Sequence, residues 1–137
     1  MAVIDMQMMR YINLFDRVSN VKTTKCFLYN NAIIFAVPRQ MLSRAIGQQA
    51  SNIYRIQDQL GKRVKVVPES DDISNAENFI KSIVSPVNFK SVEIIDSVMI
   101  LTAGSQSKAA LLGRNKRRYE ELKKIVHDVY GVDFRIV

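Results

Sequence analysis

The sequence predicts an α+β chain, an α/β sandwich in which one small unit occurs twice in tandem. Three observations carry this. The chain matches itself in pattern, without a gap, from Met9 on Asn75 to Leu60 on Val126. Within each copy the hydrophobic spacing alternates between helical period and short strand-like runs, in the order helix, strand, strand, helix, helix, strand. Each copy is therefore expected to be a three-stranded sheet packed by three helices. Apolar residues make up 47% of the 137 and charged residues 24%, enough for packed cores and without the signature of disorder.

The repeat is specific in its detail. Val18-Ser19-Asn20-Val21 falls on Val84-Ser85-Pro86-Val87, Ala32-Ile33-Ile34-Phe35 on Val98-Met99-Ile100-Leu101, and Ala45-Ile46-Gly47 on Leu111-Leu112-Gly113. The second copy then has four additional residues, about one helical turn, before Leu60 to Val67 matches Tyr130 to Val137.

In the first copy, Ile4, Met8, Tyr11, Ile12, Phe15 and Val18 recur at helical spacing and predict an amphipathic helix over 2–18. Lys25–Tyr29 and Ala32–Val37 read as strands, with Asn30-Asn31 supplying hairpin chemistry between them. Pro38 suits the first turn of a short helix through Ile46, and Gly47 stops it. Ser51 is read as the N-cap of a second helix that buries Ile53, Ile56 and Leu60 and ends at Gly61 before the strand Val64–Val67.

The second copy repeats this with a helix at Ile73–Val84, opened by a Ser74/Glu77 capping box. Strands follow near Lys90–Ile95 and Val98–Ala103, then a short helix at Ser105–Leu112. A helix at Arg117–Tyr130 buries Tyr119, Leu122, Val126 and Val129, and a closing strand spans Phe134–Val137. Pro68 to Asp72 joins a first domain, residues 1–68, to a second, residues 69–137. The connector is too short for a free tether.

Charge narrows the partner. The chain carries +7 with a pI near 9.7, which favours a polyanion. Residues 1–68 hold 10 Lys/Arg against 3 Asp/Glu, and residues 69–137 hold 10 against 10. Even so, the densest basic cluster, Arg114, Lys116, Arg117 and Arg118, lies in the second half. No run approaches the roughly 18 apolar residues of a membrane span, and Asp5 close behind Met1 is unlike a signal peptide. A cytoplasmic protein with no membrane partner is expected.

Cys26 and His127 are each single in the sequence. A disulfide framework or Cys/His zinc site therefore cannot form within one chain. Neither a nucleophile–base pair nor a phosphate-binding P-loop is visible, so an enzyme is not expected and no cofactor or metal is implied. Cys26 reads as a small buried hydrophobe, Met8 as core, His127 as exposed, and Asp71-Asp72 as connector rather than metal ligands.

The chemistry gathers where two helices meet in each copy, at Ile46-Gly47-Gln48-Gln49-Ala50 and Leu112-Gly113-Arg114-Asn115-Lys116. One glycine between helices is usually only a C-cap. Two equivalent glycines at equivalent junctions favour a nucleic-acid site. These segments resemble the GXXG loops of KH domains, the element order resembles the type II KH fold, and two such units resemble archaeal NusA-type transcription elongation and termination factors.

The resemblance implies a loop that clamps the sugar-phosphate backbone of about four nucleotides, with the bases along an apolar groove. It also implies single-stranded RNA and the RNA polymerase elongation complex as partners. Carried onto this chain, it marks Gly47, Gln48, Gln49, Ala50, Ser51 and Asn52 in the first copy, with Arg39, Arg44 and Arg55 as flanking charge. In the second copy it marks Gly113, Arg114, Asn115, Lys116, Arg117 and Arg118.

Both loops depart from the pattern where Ala50 and Lys116 replace the second glycine, and a Cβ there is expected to narrow the backbone angles. The first loop is uncharged and depends on Gln48, Gln49 and backbone amides. The second sets four cations at a helix N-terminus, against the helix dipole, a conflict that an anionic ligand would remove. It is expected to dominate the attraction. The competing reading is a protein-docking platform on polymerase or ribosome with degenerate loops.

From the short connector and the small size of each copy, the sequence predicts a monomer whose two halves tumble together. NMR relaxation should return one correlation time, and two distinct times would refute this expectation.

Overall fold

The computed structural model describes residues 6–23, 25–70 and 72–137. The chain divides into two compact units between Glu69 and Ser70. The first contains α1 (Met6–Ser19), β1 (Lys25–Tyr29), β2 (Ala32–Val37), α2 (Leu42–Ile46), α3 (Ser51–Leu60) and β3 (Arg63–Pro68). The second contains α4 (Ala76–Val84), β4 (Ser91–Ile95), β5 (Val98–Thr102), α5 (Lys108–Leu112), α6 (Arg117–Tyr130) and β6 (Asp133–Ile136). The α+β fold class and the element order expected from the sequence are both present.

Each sheet has its middle-numbered strand at the centre, in the orders β1-β2-β3 and β4-β5-β6. The outer partners differ in direction. β1 and β2 form an antiparallel hairpin, paired from Lys25↔Ala36 to Tyr29↔Ala32, and Asn30 and Asn31 turn it with φ of 51° and 61°. Two consecutive positive φ values are what a two-residue type I′ turn needs, and asparagine tolerates them. Asp96 and Ser97 do the same for β4 and β5, at 52° and 61°. β3 and β6 instead lie parallel to β2 and β5, which forces each chain through a helical crossover.

Helix α1 lays Tyr11, Ile12, Leu14 and Phe15 into the first core, and the Phe15 ring stacks on Phe35 of β2 with centroids 4.4 Å apart. Val21, Cys26, Ile33, Val37, Ala45, Ile56 and Val64 complete the cluster, with residues such as Met8, Val18, Ile53 and Leu60 packed partly against it. Truncating Phe15 to alanine would open a cavity costing about 3–5 kcal/mol. Leu14 is a core residue the sequence reading lacks. Ile4 and the start of the expected helix lie outside the described residues. Cys26 is buried on β1, and His127 is exposed.

The second core is built from Phe79, Ile80 and Ile83 of α4, Met99 and Leu101 of β5, Leu111, and Leu122, Ile125 and Val126 of α6, around Phe134. The four additional residues of the second copy all lie in the last helix, 14 residues in α6 against 10 in α3. The first helices align one residue away from the sequence match: Tyr11, Leu14, Phe15 and Ser19 are buried where Ala76, Phe79, Ile80 and Val84 are. The stretch joining α4 to β4 is one residue longer than the one joining α1 to β1 and absorbs the difference.

Several local expectations are corrected. Pro38 leads into a single 3-10 turn, Arg39–Met41, before the five-residue α2, and α5 is equally short because 105–107 form a turn. Tyr119 and Val129 are only half-buried; the Tyr119 hydroxyl donates to Phe134 O at 2.9 Å. Ser51 does not cap α3. It already has helical angles, and the capping position belongs to left-handed Ala50, whereas a capping side chain needs an extended backbone to fold back on the first turn.

The Ser74/Glu77 box is likewise replaced. Asp72, in extended conformation, accepts the Ser74 N–H on Oδ1 at 3.0 Å, because a 3-10 turn over Ile73–Asn75 places Ser74 inside the helical segment rather than before it. Asp71 lies outside the described residues. No helix among the described residues is long and apolar enough to cross a membrane.

The Ser74 N–H, followed by the Ser74 side chain, holds the Asp72 carboxyl below its ordinary pKa. Its support for α4 is therefore in place at neutral pH and is lost as pH falls through that lowered value. Asp72→Ala should lower the melting temperature near pH 7, Asp72→Ser should recover much of the loss, and the deficit of Asp72→Ala should shrink in acid. Thermal melts across pH test all three.

Candidate nucleic-acid interface

The two helix junctions have the same backbone despite sharing only their glycine. Gly47 sits at φ 82°, ψ 167° and Gly113 at φ 74°, ψ 175°, a region essentially restricted to glycine. Two positions after each glycine begins a pair of left-handed residues: Gln49 at 54°, 36° and Ala50 at 59°, 28°, then Asn115 at 55°, 29° and Lys116 at 59°, 25°. The hydrogen bonds repeat as well. Gly47 N–H donates to Ser43 O at 3.0 Å and Ala50 N–H to Gly47 O at 3.1 Å; Gly113 N–H donates to Ala109 O at 3.0 Å and Lys116 N–H to Gly113 O at 3.2 Å.

Space requires the glycines too. A Cβ on Gly47 would stand 2.8 Å from Ser51 Oγ and 3.0 Å from Asn52 N, and one on Gly113 would stand 2.7 Å from Arg118 Cγ and 3.1 Å from Arg118 N. Where a second glycine is missing, the two copies still have the same turn. Ala50 and Lys116 adopt the left-handed angles a glycine would take, at a cost of roughly 1–2 kcal/mol for an L-residue.

The structure brings the loop residues of each copy to the surface. Gln48, Gln49 and Ser51 are exposed and Ala50 half-buried; Arg114, Asn115, Lys116 and Arg117 are all exposed. Arg44 stands in the last turn of α2 beside the first loop, Arg39 precedes that helix, and Arg55 lies a turn into α3, all three exposed. None of these arginines, nor Lys116, forms an ion pair among the described residues. In the second copy Arg114, Lys116, Arg117 and Arg118 surround the positive end of α6, with Glu120 the acidic residue of its first turn.

Asn52 and Arg118 are turned elsewhere. Asn52 Nδ2 donates back to Arg44 O and Ala45 O, both at 3.2 Å, and Arg118 Nη1 donates to Ala110 O at 3.0 Å. Both side chains are bound to the preceding short helix.

Sequence reasoning missed Tyr54, a residue 60% exposed on α3. It stands off the Ile53, Ile56, Leu60 stripe, which is the signal that could have found it. Side chains on a helix lean toward its N-terminus, so the ring lies on the loop side of its own Cα. Glu120 holds the matching position in the second copy.

A central strand, a parallel return through two helices, and a glycine turn between them, present twice, define two tandem type II KH-like domains. No family model matches the chain. It is nevertheless similar to three archaeal proteins named probable transcription termination protein NusA. The relative from Methanocaldococcus jannaschii is 25% identical over 84% of this chain and 63% of its own length. That from Halococcus morrhuae is 23% identical over 91% and 90%, and that from Methanococcus vannielii 22% over 88% and 70%. This chain thus spans less than two thirds of the first. The crystal structure of APE1850 shares the fold over 98% of this chain and 99% of its own, with a TM-score of 0.68 at 24% identity. The chain resembles archaeal NusA-type proteins along most of its length.

Gly47→Ala and Gly113→Ala should each destabilise by about 1–3 kcal/mol. Ala50→Gly and Lys116→Gly should instead stabilise by about 0.5–1 kcal/mol, because relief of left-handed strain outweighs the greater chain entropy of glycine. Denaturant unfolding reads both signs.

Proposed function

We propose that this protein binds single-stranded RNA through its two KH-like loops and acts in transcription elongation and termination, on the RNA of a polymerase elongation complex. The observation that carries this reading is the pair of loops with one backbone, held at equivalent exposed junctions by different side chains. Glycine at the turn lets a phosphate approach the main chain, and the helix behind it points its positive end at the same place. Cations at that end of α6 oppose the dipole unless an anion lies between them. The names of the relatives support the role in transcription termination.

In this reading the two loops divide the work. Arg114, Lys116 and Arg117 supply attraction that depends on salt, while Gln48, Gln49 and the main chain supply neutral hydrogen bonds in the first copy, with Arg44 at its edge. Tyr54 offers a ring on which a base can stack, an interaction tolerant of sequence.

Gln48→Asp with Gln49→Asp should weaken binding to single-stranded RNA by setting carboxylates against phosphates. Arg114→Asp with Asn115→Asp should weaken it more and flatten its dependence on salt. Tyr54→Ala should cost about 1–3 kcal/mol if one base stacks there. Titrations of labelled RNA at several salt concentrations measure all three. Folded double mutants that bind RNA like the parent would overturn the loop mechanism and favour protein docking on polymerase or ribosome.

A further inference from the structure

We infer that Asn52 and Arg118 form a latch that holds each loop in shape, and that Arg118 serves the second loop as a positioning residue rather than as a phosphate contact. The inference rests on the RNA-binding reading and divides the basic cluster into three cations that face the ligand and one that does not.

The two residues are equivalent, each five positions after the loop glycine. Each sends its side chain back across that glycine to the carbonyls that end the preceding helix. Asn52 reaches Arg44 O and Ala45 O, and Arg118 reaches Ala110 O, the counterpart of Arg44 O. The last carbonyls of a helix have no partner within it, and in helices of only five residues they are most of the carbonyls there are. The glycines explain how the side chains pass: a Cβ at Gly47 would meet Asn52 Cγ at 2.9 Å, and one at Gly113 would meet Arg118 Cβ at 3.0 Å. Glycine and donor thus work as a pair. The glycine clears the path, and the donor ties the start of the second helix to the end of the first, so the left-handed residues between them are held from both sides.

Asparagine and arginine share no charge, length or shape, yet both complete this connection. What they share is an N–H donor. The equivalence predicts that Arg118→Asn, which installs the donor used by the first copy, preserves the second loop, whereas Arg118→Ala does not.

The test compares Arg118→Asn, Arg118→Ala and Arg114→Gln for affinity to single-stranded RNA, for the salt dependence of that affinity, and for backbone chemical shifts of Asn115 and Lys116. Arg118→Asn should bind within about twofold of the parent, with unchanged salt slope and left-handed shifts intact. Arg118→Ala should lose about tenfold in affinity and disturb the loop shifts, with the slope again unchanged. Arg114→Gln should keep the loop shifts and lower the slope by about 0.7, the value for one phosphate contact on a single strand.

Arg118→Asn behaving like Arg114→Gln would overturn the inference, as would loop shifts indifferent to Arg118→Ala. Should the parent bind no RNA, the RNA reading fails by itself and the shifts still decide the latch. Asn52→Ala and Asn52→Arg repeat the comparison in the first copy, where no charge is removed: alanine should disturb the shifts of Gln49 and Ala50, and arginine should restore them.

Discussion

Each domain depends on reversing the chain between two helices within a few residues. Because β3 runs parallel to β2, the connection must return to the end of the sheet where β2 began, and residues 38–62 do this with helices of only five and ten residues. With so little length, the direction of α3 is set at the turn. Gly47, Gln49 and Ala50 all have positive φ, and Gly47 lies so close to the next helix that no side chain fits. That direction brings Ile56 onto the core of Phe15 and Phe35. The second domain repeats the solution through Gly113, Asn115 and Lys116.

The turn also explains how one backbone can carry two chemistries. Once the glycine and the latch behind it define the loop, the intervening side chains face solvent and contribute little to packing. The first copy places two neutral amides there and the second an arginine, an asparagine and a lysine. Four non-glycine residues held left-handed across the two loops are a standing strain of roughly 1–2 kcal/mol each. Strain of this kind persists where the surroundings over-determine it and gathers at functional sites.

The likeness to archaeal NusA-type proteins at 22–25% identity has a parallel inside the chain. Ile33 and Met99, Phe35 and Leu101, Ala45 and Leu111, and Ile56 and Leu122 are matched positions, all fully buried. The exchanges are between apolar side chains of different size, phenylalanine at 35 against leucine at 101 and alanine at 45 against leucine at 111. Interiors accept such exchanges when total volume and pattern are kept. Sequence identity therefore decays while sheet order, crossover and turn persist.

The strands Lys25–Tyr29 and Ala32–Val37, the extent of α6 and the paired glycine junctions were legible in the sequence, because strand alternation, helical stripes and positive-φ residues are local properties that leave a local signature. The helix caps were not. Whether Ser51 caps α3 or Ser74 caps α4 depends on the backbone angles each serine itself adopts, and those follow from how the turn is held. Nor was the role of Arg118, which composition groups with Arg114, Lys116 and Arg117. In the sequence the four are one basic cluster. Only in the folded domain does the end of α5 come near enough for Arg118 to donate to Ala110 O, while its neighbours stay in solvent. The exposure of Tyr54 was decided in the same way, by which face of α3 the core took. The sequence by itself determined that two similar domains form and where each turns. The packing of each short helix pair decided which side chains at the turn are tied into the fold and which remain free to meet a ligand, because that depends on contacts between residues the chain brings together only when it folds.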